Sequence, residues 1–519
     1  MKKYIYKPLQ LLLTLFLLSA LSCEVVETDL VDDPSNLGTD DASVEFLFNA
    51  NQIALANFFE TIQFAGAQVT RMELMGTSPI YASQFQADDF DAVWRAAYSN
   101  FLIDAKTLKE LAVGLETDDV NGNNIIAAVQ IMEAYIITTM ADYFGDVPYT
   151  EAVQGSDNFN PARDDDRQIY QMARDLLLSS INLIDAGGSV DLPNDLYYGG
   201  NMDNWSRLAN SLLIKLAVQS RLNDSDAVAN VNAVINNGGF ISDNSQDFQF
   251  DYSSNDANPD SRHPIFSPQY DGVAGIYMAA PYIRRMVDDP RFNYYFYLQN
   301  GQIFGREHGD AGPPVASDFN RITVHGLYPV GGMYNDGTTG PTSRTDGAAG
   351  AGATVIMTNF ATQFLIAEAQ LTMNGSVGAA RNALEAAITA SMDKVTNFQS
   401  GAIPAGAPEP TQAEINAYID DALTRYDNAA GNQGKLDVII TEYYKSLWGN
   451  GIETYNNFRR TGYPSDLPPS ISTNPGTFTN TMFYPAVYIN NNNSPDAVQR
   501  ATVAEKVWWA EGTTFNLDF

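Results

Sequence analysis

The chain has 519 residues, 62 acidic against 29 basic side chains and a formal charge of −33, which argues against nucleic acid as a partner, because a phosphate backbone calls for clustered Lys and Arg. A hydrophobic share of 45% with 27 Tyr and 27 Phe is ample for a large core. Its one cysteine, Cys23, rules out a disulfide framework and leaves no thiolate set for zinc.

Residues 1–22 place Lys2, Lys3 and Lys7 before an apolar run from Leu9 to Leu21, the pattern of an export signal and too short for a comfortable membrane span. Cleavage after Ser22 makes Cys23 the first residue of the mature chain and a candidate for lipid attachment; the alternatives are a simple cleaved leader or an anchor that stays attached. Removing these three lysines and no acid takes the charge from −33 to −36. Residues 23–41 then read as an acidic, turn-rich, lipid-anchored linker, and residues 42–519 as one soluble body with no second apolar stretch of membrane length.

Apolar residues at spacings of three and four predict helices over 43–65, 88–113, 123–143, 166–185 and 202–221, with a short one after Asp224. Asp166 is the expected N-cap of the fourth. Trp205 shares a face with Leu208, Leu212 and Leu216 and reads as core. Between 236 and 350 Gly, Pro, Asn, Asp and Ser interrupt every apolar stretch, except for helical periodicity near 274–289. This is a long loop-rich insertion, and such loops are where binding surfaces lie. Helices resume over 359–375, 377–395, 411–428 and 434–449, and residues 460–519 again read as loops. Successive helices with short linkers bury their stripes against one another, so the fold expectation is all-α, with stacked helical hairpins.

No catalytic motif stands out. His263, His308 and His325 have no metal-ligand spacing, and the acidic runs Asp164–Asp166 and Asp288–Asp289 lack the spacing of a calcium loop. No metal and no cofactor is therefore expected. Acidic pairs are too numerous for counting to dismiss a glycosidase. Sugar binding asks for flat aromatic faces with amides and carboxylates nearby. The insertion supplies Tyr270, Tyr277 and Tyr282 beside Gln269, Asp271 and Arg284, then Tyr328, Tyr334 and Asn335 on a glycine-rich loop; Tyr81 and Gln84 are further loop candidates.

Several segments in fixed order go further: ADYFGDVPYTEAVQG (141–155), DDDRQIYQMARDLLLSSINLID (164–185), DLYYGGNMDNWSRLANSLLIKLAVQSRL (195–222), FLIAEAQLTMNG (364–375), EYYKSLWGNGIETYNNFRRTGYP (442–464) and KVWWAEG (506–512). Together they resemble the SusD/RagB family of outer-membrane nutrient-binding lipoproteins of Bacteroidota, in a shorter divergent branch. The resemblance implies a tetratricopeptide-like helical core of four helix pairs and non-catalytic capture of an oligosaccharide or other small nutrient. It also implies a SusC-like TonB-dependent transporter as partner and an outer-membrane, lipid-anchored location facing the cell exterior. The alternatives are an all-helical glycoside hydrolase and a ligand-free scaffold lipoprotein. Within these motifs Asp142 and Asp146 read as local turn or cap residues, and Arg459 and Arg460 as structural forks for carboxylates or carbonyls. The candidate ligand contacts remain Tyr270, Tyr328, Tyr334, Asn335, Tyr81 and Gln84, named from composition and local context.

Overall fold

The computed structural model describes residues 43–75, 80–117, 120–266, 278–296, 305–312 and 350–513. The lipidation candidate Cys23 and its linker lie outside these residues.

The body is all-α. It opens with α1 (Val44–Val69) and a helical run from Asp91 to Gly114, in which Arg95–Leu102 is π-helical and Ile103–Gly114 forms α2. Four hairpins follow: α3 (Asn123–Phe144) with α4 (Asp166–Ala186), α5 (Met202–Ser220) with α6 (Ala227–Asn237), α8 (Asn359–Thr372) with α9 (Val377–Asn397), and α10 (Gln412–Asn428) with α11 (Gly431–Ser446). The short α7 (Ala280–Met286) lies in the insertion, between α6 and α8. Helix α4 packs on α5, α5 on α8 across the insertion, and α9 on α10, so the hairpins stack as the periodicity implies. Thr411 and Glu414 form a reciprocal capping box at the start of α10. The cap of α4 is Asp165, which accepts from the N–H groups of Arg167 and Gln168; Asp166 is already helical, one residue off the expectation.

Two features depart from the sequence reading. Helix α3 is long and apolar enough to cross a bilayer, although no such stretch was expected after the leader; nearly all of it is buried against α1, α2, α4 and α5, as in a core helix. Gly451–Thr461 forms α12, which periodicity hides because Glu453, Asn456, Asn457, Arg459 and Arg460 sit inside with Ile452, Tyr455 and Phe458. A helix buried on every side shows no polar face.

The loop-rich stretch leaves and re-enters through one antiparallel ribbon, β1 (Phe248–Asp251) with β2 (Ala353–Met357), in the register Phe248 opposite Met357 and Asp251 opposite Ala353.

Candidate functional site

Several loop segments are knitted to the end of α1 by main-chain hydrogen bonds. The N–H of Ala279 donates to Met72 O (3.4 Å), Ala280 to Arg306 O (2.8 Å), Ile471 to His308 O (2.9 Å) and Tyr81 to Pro475 O (2.9 Å). Behind this frame runs a buried relay. Arg71, at φ 66°, donates to the Tyr81 hydroxyl at 2.8 Å, and that hydroxyl meets His308 Nε2 at 3.0 Å. Burial, with the Arg71 charge added, pushes the His308 imidazole down to about 2, so it is neutral.

Tyr81 is therefore enclosed, its ring packed on Phe478 and His308, and it presents no open face. Gln84 is half-buried and donates to Gln68 Oε1 at 3.2 Å. Tyr270, Tyr328, Tyr334 and Asn335 lie outside the described residues. Tyr282 turns inward, stacked on Trp448 at 5.5 Å with its hydroxyl on Lys445 O. Arg284 pairs with Glu307 and Arg285 with Asp466.

A large open cleft of about 1020 Å³ lies where residues 287–293 of the insertion meet residues 408–410 and helix α10. Asp288, at φ 67°, makes the tight turn that leads Pro290 and Phe292 into its wall, in a conformation Asp tolerates better than most side chains. Tyr418 of α10 lies half-buried in the lining. Its hydroxyl donates to Glu442 Oε2 (2.7 Å) and accepts from Lys445 Nζ (2.8 Å). Beneath it Arg291 grips Asp289 through two bonds of 2.9 and 2.7 Å, and Arg425 reaches Glu442 at 3.0 Å. The result is an aromatic ring held rigid by a satisfied ionic floor, with Asp288, Glu409, Glu414 and Asp421 around it as hydroxyl acceptors.

Two carboxyls of the cleft are held below their ordinary values. Burial alone would raise Asp289, but Arg291 and Lys445 outweigh it and hold the group at about 2. The N–H and hydroxyl of Thr411 lower Glu414. Several carboxyls with raised values are buried in the framework. Asp142, raised by burial, accepts from Tyr170, from Asn456 Nδ2 (2.7 Å) and from Trp509 Nε1 (2.9 Å). It thus ties three distant segments together and is no local turn residue. Asp146 likewise accepts from the distant N–H of Asp166 at 3.0 Å. The carboxylates of Asp146, Asp165 and Asp166 converge, and each accepts protein N–H groups, from Asp166, from Arg167 and Gln168, and from Trp508 respectively.

Arg459 and Arg460 are structural, as read. Arg459 donates to the carbonyls of Asp142 and Asn480 (2.6 Å each) and lies 3.6 Å from the Tyr455 ring centre. Arg460 forks Glu368 at 2.9 and 2.8 Å. Tyr418 had no sequence signal: inside α10 it reads as one more packing residue of an amphipathic helix.

The family model described as "Starch-binding associating with outer membrane", SusD-like, matches residues 38–485. No curated protein matches the sequence. Among solved structures the fold is similar to a chitin-binding SusD homologue from Flavobacterium johnsoniae, at 18% identity and TM-score 0.66 over 90% of this chain and 99% of that one. It is also similar to a SusD/RagB family protein from Bacteroides thetaiotaomicron, at 18% identity and TM-score 0.68 over 91% and 100%. A SusD homologue from Bacteroides fragilis gives 18% identity and TM-score 0.69 over 91% and 100%.

Proposed function

Because the chain belongs to the SusD-like family, whose model spans residues 38–485, we propose that it is a non-catalytic capture protein of the outer membrane, anchored through Cys23 and facing the cell exterior. It binds an oligosaccharide or other small nutrient and delivers it to a SusC-like TonB-dependent transporter. The family match carries this reading. The chitin-binding relative supports a glycan, and so does the Tyr418 cleft, where a fixed ring is surrounded by hydroxyl acceptors. Asp289 and Glu414, both held below their ordinary values, are unsuited to the general-acid half of a hydrolase pair.

Tyr418 and Phe292 are the proposed stacking surface of the cleft. Tyr270, Tyr328, Tyr334 and Asn335 remain proposed contacts on the insertion, with Gln84 at the frame and Tyr81 as the support behind it.

Calorimetric titration with chito- and malto-oligosaccharides tests the reading, together with product analysis after long incubation. Binding of at least one series without cleavage is expected, weakened about tenfold by Tyr418→Ala, within the range of a lost stacking contact. Enzyme-dependent cleavage abolished by changing one carboxylate would establish the hydrolase instead. Gentle detergent isolation of the native protein should bring a large barrel subunit with it; repeated recovery alone would remove the transporter from the proposal.

A further inference from the structure

A second cleft, of about 530 Å³, lies between α4, α5 and α6 with Trp508 in its lining, and it shares no residue with the Tyr418 cleft. One wall is a single stripe of α4, since Arg167, Gln171 and Arg174 fall at i, i+4 and i+7. In a chain with 62 acids and 29 bases, arginines find carboxylates easily. Arg221, Arg262, Arg284, Arg291, Arg381 and Arg460 all do so. Arg167 and Arg174 make no ion pair among the described residues, as is also true of Arg95, Arg207 and Arg459; what sets the two apart is that both line this cleft. Arg174 donates to Asn230 Oδ1 at 3.0 Å, and Arg167 lies 4.9 Å from the Trp508 ring centre. Trp508 is itself only 8% exposed, yet its indole N–H has no acceptor among the described residues. A buried donor of this kind calls for an explanation. Asp175, Asp224 and Asp226 are the carboxylates of the lining.

We propose that this cleft is a second binding site, for an oligosaccharide that carries carboxylates, a uronic-acid type of sugar. Arginines at i and i+7 stand about 10 Å apart along the helix axis, so they meet two separate carboxylates and do not close on one. Each guanidinium offers the planar fork a carboxylate fits. The three aspartates accept hydroxyls, which a sugar acid carries on every unit and a run of acidic side chains lacks, and this favours a sugar acid over an acidic peptide.

The test uses the full mature chain, titrated with tetragalacturonate, with a neutral galactose tetramer and with a Glu-rich peptide of equal charge. Tetragalacturonate should bind about tenfold more tightly than the neutral tetramer and weaken with salt. Arg167→Gln and Arg174→Gln should each weaken it about tenfold, and Tyr418→Ala should leave it unchanged. Arg167 is exposed, so its loss does not disturb the core. Binding should also change the tryptophan fluorescence, and Trp508→Phe should abolish that change. No binding of tetragalacturonate at millimolar concentration, equal affinity for the neutral tetramer, or full affinity in both arginine variants would overturn the site. Tighter binding of the peptide would overturn the sugar class. None of these results bears on the Tyr418 cleft, whose test uses neutral glycans and its own variant.

Discussion

Gly66 of α1 and Gly451 of α12 meet backbone to backbone: a methyl group on Gly66 would fall 2.1 Å from the Gly451 carbonyl oxygen, and one on Gly451 would fall 2.0 Å from Gln63 O. The crossing is closed further by Thr70 Oγ1 on Thr454 Oγ1 at 3.0 Å. Helix α12 can sit this deep only because neither helix has a side chain at the contact. Its depth is what brings Arg459 and Arg460 to their partners.

Gly66→Ala and Gly451→Ala should therefore each cost about 3 kcal/mol or more, since the clash is with main chain that cannot rotate away. Gly378 in α9 has nothing within 4 Å of its missing methyl, and Gly378→Ala should be neutral or stabilising by up to about 1 kcal/mol. Urea unfolding of the three variants checks the contrast. Equal stabilities would mean that the helices do not cross at these glycines.

Glu368 is fully buried between Arg460 and Arg221, with contacts of 2.8 Å to each. Glu368→Gln leaves two guanidinium groups facing a neutral amide, and the expected loss is about 3–5 kcal/mol. Thermal unfolding should show it as a large drop in Tm with the helical circular dichroism retained below the transition. A drop of only a degree or two would show that solvent reaches this site.

Stability should fall as pH rises from 6.5 to 8. Burial, with Glu60 adding to it, raises Glu73 from 4.5 to about 8, and burial raises Asp166 from 3.8 to about 7. The folded state therefore holds these protons more tightly than the unfolded chain. Their contribution is fully present below the unfolded values and is lost as pH climbs through 7 and 8. His308 has the opposite sign, because its folded value of about 2 lies below 6.5; it disfavours acid and has little effect above 6.5. Tm measured between pH 6.5 and 8.5 should decline in the wild type and decline less in Glu73→Gln. A variant with the same slope would remove Glu73 as the cause.

Cys23→Ser should abolish metabolic labelling by fatty acid and release the protein from the membrane fraction, while leaving glycan affinity unchanged. Equal labelling of wild type and variant would refute the anchor.

Much of this protein was legible from its residues in order. A stripe at spacings of three and four needs only neighbours along the chain, so α1 and α3–α6 could be placed within a few residues, and Trp205 could be assigned to the core, where it is fully buried with its indole N–H on Asp195 at 2.9 Å. The ordered motifs pointed to the family in the same way. What local pattern could not carry was any role that depends on partners far away in sequence. Arg459 and Asp142 are 317 residues apart when they bond, so Asp142 reads locally as a turn residue and becomes a junction only when α12 is buried against α3. Tyr418 looks like ordinary helix packing until Asp289, Glu442 and Lys445 form a floor beneath it. Tyr282 looks like a loop aromatic until Trp448 stacks on it. Helical periodicity is a property of one segment, whereas burial and exposure of a polar or aromatic side chain belong to the assembled helices, and only their packing decided which rings line a cleft and which fill the core.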